Sequence, residues 1–301
     1  MGVFDGVHLG HQAIIASAVK LAGPAGAPAA LTFDPHPDVV LNPRKPLALL
    51  TTTEEKLRLL RSLGVRVVIV ADFTRGLADM RAEEFVARVL VEQLRARCIF
   101  VGEGWRFGAG GKGDVDLLKR SGARCGFRLK VLPSVTVAGG KVSSTRIRRL
   151  LCQGRVTAAR ECLGRWYELT GTVVTGEARG RLLGYPTANL SPSPEKLAPA
   201  DGVYACYAGI RRLRPAVTNI GRRPTFGAGG PRRIEVHLLE ELPFLRARSK
   251  CDHDLVGRLL RVVFVERLRA ERRFASPEGL VSQMKRDCLR ARRVLSALQG
   301  P

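Results

Sequence analysis

Paired cysteines, aromatic side chains and acidic residues are what this sequence has least of. Its seven cysteines, Cys98, Cys125, Cys152, Cys162, Cys206, Cys251 and Cys288, are odd in number and scattered, and none belongs to a Cys-x-x-Cys pair. That pattern argues against a disulfide framework and against a zinc cluster, and for a reducing, cytoplasmic setting. Aromatics make up only 6%, and 27 Asp and Glu face 50 Lys and Arg, a net charge of +23. Such a charge would suit nucleic acid, an anionic membrane surface or phosphorylated small molecules. Nucleic-acid binders concentrate their charge on one element or add a stacking platform. Here the basic residues are spread along helical stretches such as residues 286–293, which reads as a solvated basic surface and argues against nucleic acid as partner. No apolar run approaches the roughly 20 residues of a membrane span. Asp5, His8 and His11 stand where a secretory signal would need a basic start and an apolar stretch.

What the chain does have is length for two cores. Its 301 residues exceed the usual single domain, and 45% of them are hydrophobic. From residue 11 to about 132, amphipathic and apolar segments alternate. Helices are expected at 11–22, 53–63, 81–96 and 114–120, and strands at 29–33, 65–71, 98–101 and 128–132. Short apolar strands between helices predict an α/β domain with a doubly wound parallel sheet. A helix over 145–163 follows. The texture then changes to β-rich runs at 171–176, 203–210, 216–220, 234–239 and 259–265, separated by Gly, Pro and Arg turns. These predict an antiparallel barrel or sandwich. Ser276 as cap, Pro277 and Glu278 signal a closing helix running to about residue 298. The expected domains are 1–162 and 163–301.

The first chemistry-bearing segment is Gly2-Val3-Phe4-Asp5-Gly6-Val7-His8-Leu9-Gly10-His11. His8 and His11, three apart where a loop enters a helix, face one side beside free N–H groups and the positive end of the helix dipole, an arrangement that suits a triphosphate. Gly10 lets backbone approach closely. Alone, His-x-Gly-His is a pair of surface histidines. Yet three of the five histidines fall in this half, the third being His36 in Thr32-Phe33-Asp34-Pro35-His36-Pro37, just after an expected strand. A second helix start, Val142-Ser143-Ser144-Thr145-Arg146-Ile147-Arg148, offers hydroxyls and exposed amides at Ser144 and Thr145 with the Arg148 guanidinium one turn in, a second phosphate clamp.

In the second half, Gly180-Arg181-Leu182-Leu183-Gly184-Tyr185-Pro186-Thr187-Ala188-Asn189 combines glycines that let backbone pack on phosphates with a hydroxyl and an amide oxygen that can hold Mg²⁺. The glycines alone would read as a turn between strands. Asn219-Ile220-Gly221-Arg222-Arg223-Pro224-Thr225 and Ile234-Glu235-Val236-His237 follow in order. An isolated Glu on a strand is most often an outward charge, and His237, on the face of Glu235 by the two-residue period, reads as structural. Residues 240–254 form a longer connection than expected between strands. Cys251 and His253 within it are two candidate ligands and make no metal site.

Together the two N-terminal motifs resemble nucleotidyltransferases with a His-x-Gly-His signature. The wider series adds Val101-Gly102-Glu103-Gly104-Trp105-Arg106-Phe107-Gly108 and resembles the FMN adenylyltransferase module of bifunctional riboflavin kinase/FMN adenylyltransferases, the prokaryotic-type FAD synthetases. The segment ending in Pro-Thr-Ala-Asn resembles their riboflavin kinase signature. Arg267-Leu268-Arg269-Ala270-Glu271 leading to Phe274 extends the likeness over nearly the whole chain. One departure stands out. That family carries Asp or Asn then Phe where this chain has Gly104 and Trp105.

The resemblance implies two ATP reactions: riboflavin to FMN in the barrel, and FMN to FAD with release of pyrophosphate in the N-terminal domain. It implies Glu235 as general base for the ribityl hydroxyl, with Thr187 and Asn189 holding MgATP and Gly180, Gly184 and Asn219 lining that site. In the first half it implies His8, His11 and Arg148 on the ATP phosphates, with Phe4, Asp5, Gly6, Gly10, His36, Ser144 and Thr145 around the nucleotide. ATP, riboflavin and FMN are the expected partners, Mg²⁺ the expected metal. A riboflavin kinase with an impaired first half, or a basic nucleic-acid binder on this scaffold, are the alternatives. Because a phosphate-binding loop in such a domain follows a central strand and only Met1 precedes Gly2, a further apolar strand is expected upstream, and the adenylyltransferase half is expected to be weakened without it.

Overall fold

The computed structural model describes residues 1–176, 180, 183–222, 232–239 and 255–298. Its contacts divide the chain into two compact units, Met1–Ser144 and Thr145–Pro301.

In the first unit, helix α1 (Leu9–Ala22), strand β1 (Ala29–Asp34), short α2 (Pro37–Leu41), α3 (Thr53–Ser62), β2 (Val67–Asp72), short α4 (Arg75–Asp79), α5 (Ala82–Glu84) running on as a π-helix (Phe85–Gln93), β3 (Cys98–Gly102), α6 (Val115–Cys125) and β4 (Arg128–Leu132) follow one another. The helix ends are written in the sequence. Thr52 and Glu55 form a reciprocal capping box on α3, while Asp114 caps α6 and left-handed Gly126 ends it. β1 pairs with β2 and β3 with β4, both parallel, with helices between them. This is the doubly wound pattern. A two-residue hairpin, β5 (Thr136–Val137) with β6 (Gly140–Lys141), precedes the second unit.

The two parallel pairs are separate sheets. Between β1 and β3 lies a groove of about 630 Å³, walled by apolar side chains that include Ile14, Val19, Leu31, Leu90 and Ile99. Met1 and Gly2 enter it: the Met1 amine donates to Phe100 O at 3.0 Å and Gly2 N to Leu31 O at 3.1 Å. Burial pushes the pKa of that amine down to about 5. His11, lowered by burial and by the nearby His8 and amino terminus, is neutral in the fold as well. Below about pH 6.5 the unfolded His11 imidazole therefore binds a proton that the folded one does not, so stability of this unit rises with pH toward that value, by up to about 1.4 kcal/mol per pH unit. Urea unfolding read through Trp105 in a Trp166→Phe background should show that rise, and His11→Gln should reduce it. An unchanged slope in His11→Gln would assign it elsewhere.

The second unit begins one residue into α7 (Ser144–Cys152) and continues with α8 (Val156–Leu163), where one helix over 145–163 is expected from sequence. Gly154 breaks it: its φ is 73°, and a Cβ there would sit 2.6 Å from Arg267 Cδ, so the left-handed turn and the close approach both demand glycine. β7 (Tyr167–Val174), β8 (Ala188–Pro192), β9 (Gly202–Gly209), β10 (Arg214–Arg222), β11 (Arg232–Leu238) and β12 (Leu259–Arg269) close an antiparallel barrel in the order β10-β11-β8-β7-β12-β9. β8 is a strand that the sequence reading leaves out. The closing helix α9 (Pro277–Ser296) starts at the Ser276 cap, as expected. Its Ala291 and Leu295 pack with Val203, Ala205 and Tyr207 of β9, and Tyr207 Oη donates to Leu295 O at 3.0 Å. Leu280, Met284, Cys288, Ala291 and Leu295 recur at helical spacing, giving α9 one apolar stripe.

Candidate active sites

The loop before α1 is built from inside. The Asp5 carboxylate, 3% exposed, accepts from Leu50 N at 2.9 Å and Thr51 N at 3.0 Å, and Thr51 Oγ1 accepts from Gly6 N at 3.0 Å. Gln12 Nε2 donates to Val7 O and Ser144 Oγ to Asp5 O, both at 2.9 Å. These bonds hold Phe4 at φ 55°, Gly6 at 81° and Val7 at 37°. A β-branched residue at positive φ costs about 1–3 kcal/mol and persists only where its surroundings over-determine it. Phe4 and Asp5 thus turn buried side chains inward and shape the loop.

His8 caps α1 through Nδ1, which accepts from His11 N at 3.4 Å. The two imidazoles stack at 3.7 Å and 15°, and Phe4 meets His11 edge-on. A Cβ on Gly10 would press on the His8 ring at 3.2 Å, so glycine lets that ring fold over the helix start. The Nδ1 of His11 is buried with no hydrogen-bond partner among the described residues. At the carboxyl end of β1, the cis Asp34-Pro35 bond leads to His36, whose Nδ1 accepts from Asp38 N at 3.1 Å and caps α2. Lys56, not singled out from sequence, is 6% exposed and donates to Phe33 O at 2.9 Å. Burial lowers its pKa while Asp34 and Asp5 raise it. Ser144 belongs to this unit, whereas exposed Thr145 and half-buried Arg148 follow on α7 in the second.

Gly104 lies just beyond β3, and Trp105 stacks on Phe107 at 4.6 Å and 19°. A Cβ at Gly104 would have only Lys141 Nζ within reach, at 3.9 Å. Asp is therefore accommodated there.

In the barrel the expected residues come together by register. Asn189 of β8 stands opposite Glu235 of β11, and Glu235 opposite Asn219 of β10. Directly opposed residues share a sheet face, so the three side chains form one row, and all three line a cavity of about 330 Å³. Gly180, Thr187 and His237 line it too. Tyr185 N donates to Gly180 O at 2.7 Å, closing the turn that contains Gly184 at φ 82°. Arg181, Leu182, Arg223, Pro224, Thr225, Cys251 and His253 lie outside the described residues. Among those described, no group of three His, Cys, Asp or Glu gathers as a metal cluster.

The far wall went unassigned in the sequence reading. Arg269 at the end of β12 pairs with Asp287 of α9 at 2.8 Å, and Asp287 is 6% exposed. Glu271 accepts from Arg222 N at 3.3 Å, and burial raises its pKa, with Asp201 and Glu235 adding to the rise. A buried Asp on an otherwise amphipathic helix was the available signal. Its partner, 18 residues upstream, is fixed only by the closure of the barrel.

Two nucleotide-handling modules on one chain, an α/β unit with a capped His-Leu-Gly-His helix start and a barrel with a carboxylate-amide row, define the class as a two-module phosphate-transferring enzyme. The family model for FAD synthetase matches residues 1–146 and that for riboflavin kinase residues 163–295. The chain is 37% identical over 296 residues to the bifunctional riboflavin kinase/FMN adenylyltransferase of Escherichia coli (strain K12), covering 97% of this chain and 90% of the relative. That of Bacillus subtilis (strain 168) is 32% identical over 309 residues, covering 99% and 92%. A crystal structure described as a macrolide-efflux protein from Streptococcus pneumoniae superposes with a TM-score of 0.86 at 32% identity, covering 97% of this chain and 92% of that one. The chain belongs to the family of bifunctional riboflavin kinase/FMN adenylyltransferases. Matches to both modules do not favour the kinase-only and nucleic-acid readings. Among the described residues no helix is long and apolar enough to cross a membrane.

Proposed function

We infer that the chain makes FMN from riboflavin in its barrel and FAD from FMN in its α/β unit, using ATP in both. The observation that carries the first step is the row Asn189, Glu235, Asn219 along one cavity. Glu235 takes the proton of the ribityl 5′-hydroxyl, the hydroxyl oxygen bonds to the γ-phosphorus, and the bond from that phosphorus to the β-bridging oxygen breaks to release ADP. The Thr187 hydroxyl and Asn189 amide oxygen are neutral donors on that cavity, a set that fits a metal whose other ligands are nucleotide phosphates. Mg²⁺ bound there with ATP would neutralise phosphate charge. In the second step an FMN phosphate oxygen attacks the α-phosphorus of ATP and pyrophosphate leaves, with no covalent enzyme intermediate. In the α/β unit His8, His11 and the amides of the α1 start receive the phosphates beside Ser144, and Thr145 and Arg148 at the start of α7 form the second phosphate clamp.

Functional limits of 1–162 and 163–301 follow from assigning α7 and α8 to the adenylyltransferase. The scattered cysteines, six of them free thiols in the described residues, support a cytoplasmic enzyme. Incubation with riboflavin, ATP and Mg²⁺, with FMN and FAD separated, tests the whole scheme. FMN followed by FAD supports it, and no FMN refutes it.

A further inference from the structure

The ladder between β8 and β11 is short. Glu235 pairs with Asn189 and Val236 with Ala188, and there it stops. The next residue back along β8 is Thr187, and before it stands Pro186, whose ring nitrogen carries no hydrogen and cannot extend a ladder. At the point where backbone pairing ends, a side chain takes over: the Nδ1 of His237 lies 2.8 Å from Pro186 O. A carbonyl only accepts, so the imidazole carries its proton on Nδ1 and donates. Burial, ahead of the opposing effect of that hydrogen bond, lowers the His237 pKa and keeps the ring neutral. The Tyr185 ring sits edge-on to it, 5.3 Å between centroids.

Thr187 is thus bracketed. On one side Ala188 is held in the ladder, and on the other Pro186 is held by the imidazole. Upstream the turn closes on itself, since Leu183 N and Tyr185 N both donate to Gly180 O. His237 and Glu235 are two apart on one strand and line the same cavity, so one strand bears both the base and the anchor of the opposing loop. We propose that His237 is a positioning residue of the kinase site, its Nδ1–H holding the Tyr185-Pro186-Thr187 loop so that the Thr187 hydroxyl stands in register with Glu235. This rests on the assignment of Thr187 and Asn189 to MgATP. A small displacement of such a group lowers the rate because phosphoryl transfer depends on positioning.

The test uses the full chain and three variants. His237→Phe keeps a ring against Tyr185 and deletes the donor, His237→Asn places an N–H where Nδ1 stood, and His237→Gln places one at the far end of the ring. His237→Phe is expected to raise KM for MgATP and lower kcat/KM for FMN formation at least tenfold, with FAD formation from supplied FMN unchanged. His237→Asn should recover most of the loss and His237→Gln little of it. Parental kcat/KM in His237→Phe, or equal loss in Asn and Gln at unchanged melting temperature, overturns the proposal. If the Phe variant fails to fold, the Asn and Gln pair still decides. Thr187→Val separates the underlying reading: a parental KM there overturns the Thr187 assignment itself, whereas a raised KM beside a normal His237→Phe overturns the His237 role alone.

Discussion

Glu235→Gln is expected to lower FMN formation by about 10² to 10⁴-fold, the range for losing a positioned general base, while FAD formation from supplied FMN continues. Gln keeps the size of the side chain and its place between Asn189 and Asn219. Only the capacity to take a proton is lost, so the melting temperature of the barrel should hold. The cavity contains a competitor. Glu271 lines the same space, and burial pushes its pKa upward, as a base poised nearer neutrality would require. Its carboxylate, however, is already engaged by Arg222 N, outside the row of opposed polar residues. Glu271→Gln should therefore cost far less than Glu235→Gln. The reverse order would move the base to Glu271, and loss of both activities in a folded Glu235→Gln would refute the separation of the two sites.

How much of this was legible in the sequence depends on the range of the interaction that decides each feature. Amphipathic patterning placed α3 and the start of α6, which runs on to Cys125, and the Ser276 cap placed α9; Thr52, Glu55 and Asp114 cap the first two within three residues. Period-two patterning put Glu235 and His237 on one face, and both line the barrel cavity. β8 escaped because Pro192 and the polar Asn189 and Ser191 mask a strand whose register is set by β7 and β11. The engagement of Asp5 by Leu50 and Thr51 spans 45 residues, and no spacing in the sequence announces it. The break at Gly154 needed the approach of Arg267, more than a hundred residues away. Motifs named candidate residues; the long-range closures decided which of them line a cavity and which, like Phe4 and Asp5, hold the loop from within.

Replacing His8 and His11 together by Ala should remove FAD formation, by about 10² to 10³-fold for each donor lost to the phosphates, and leave FMN formation at the parental rate. Two properties of the pair support so large an effect. His8 is only 7% exposed and its Nδ1 caps α1, which fixes the orientation of the ring. His11 is stacked on it, held neutral by burial first and by its neighbours second, and its Nδ1 finds no partner among the described residues. Negative charge arriving at the helix start opposes the effect of that burial and draws a proton toward the imidazoles as charge grows on the departing pyrophosphate. The cap itself contributes about 1 kcal/mol, which His8→Ala forfeits. His8→Asn separates the two effects, since Asn caps well and offers no imidazole. It should melt like the parent and still make FAD poorly. A double Ala variant that forms FAD at the parental rate, or a His8→Asn variant whose loss tracks its stability alone, would take the phosphates away from this helix start.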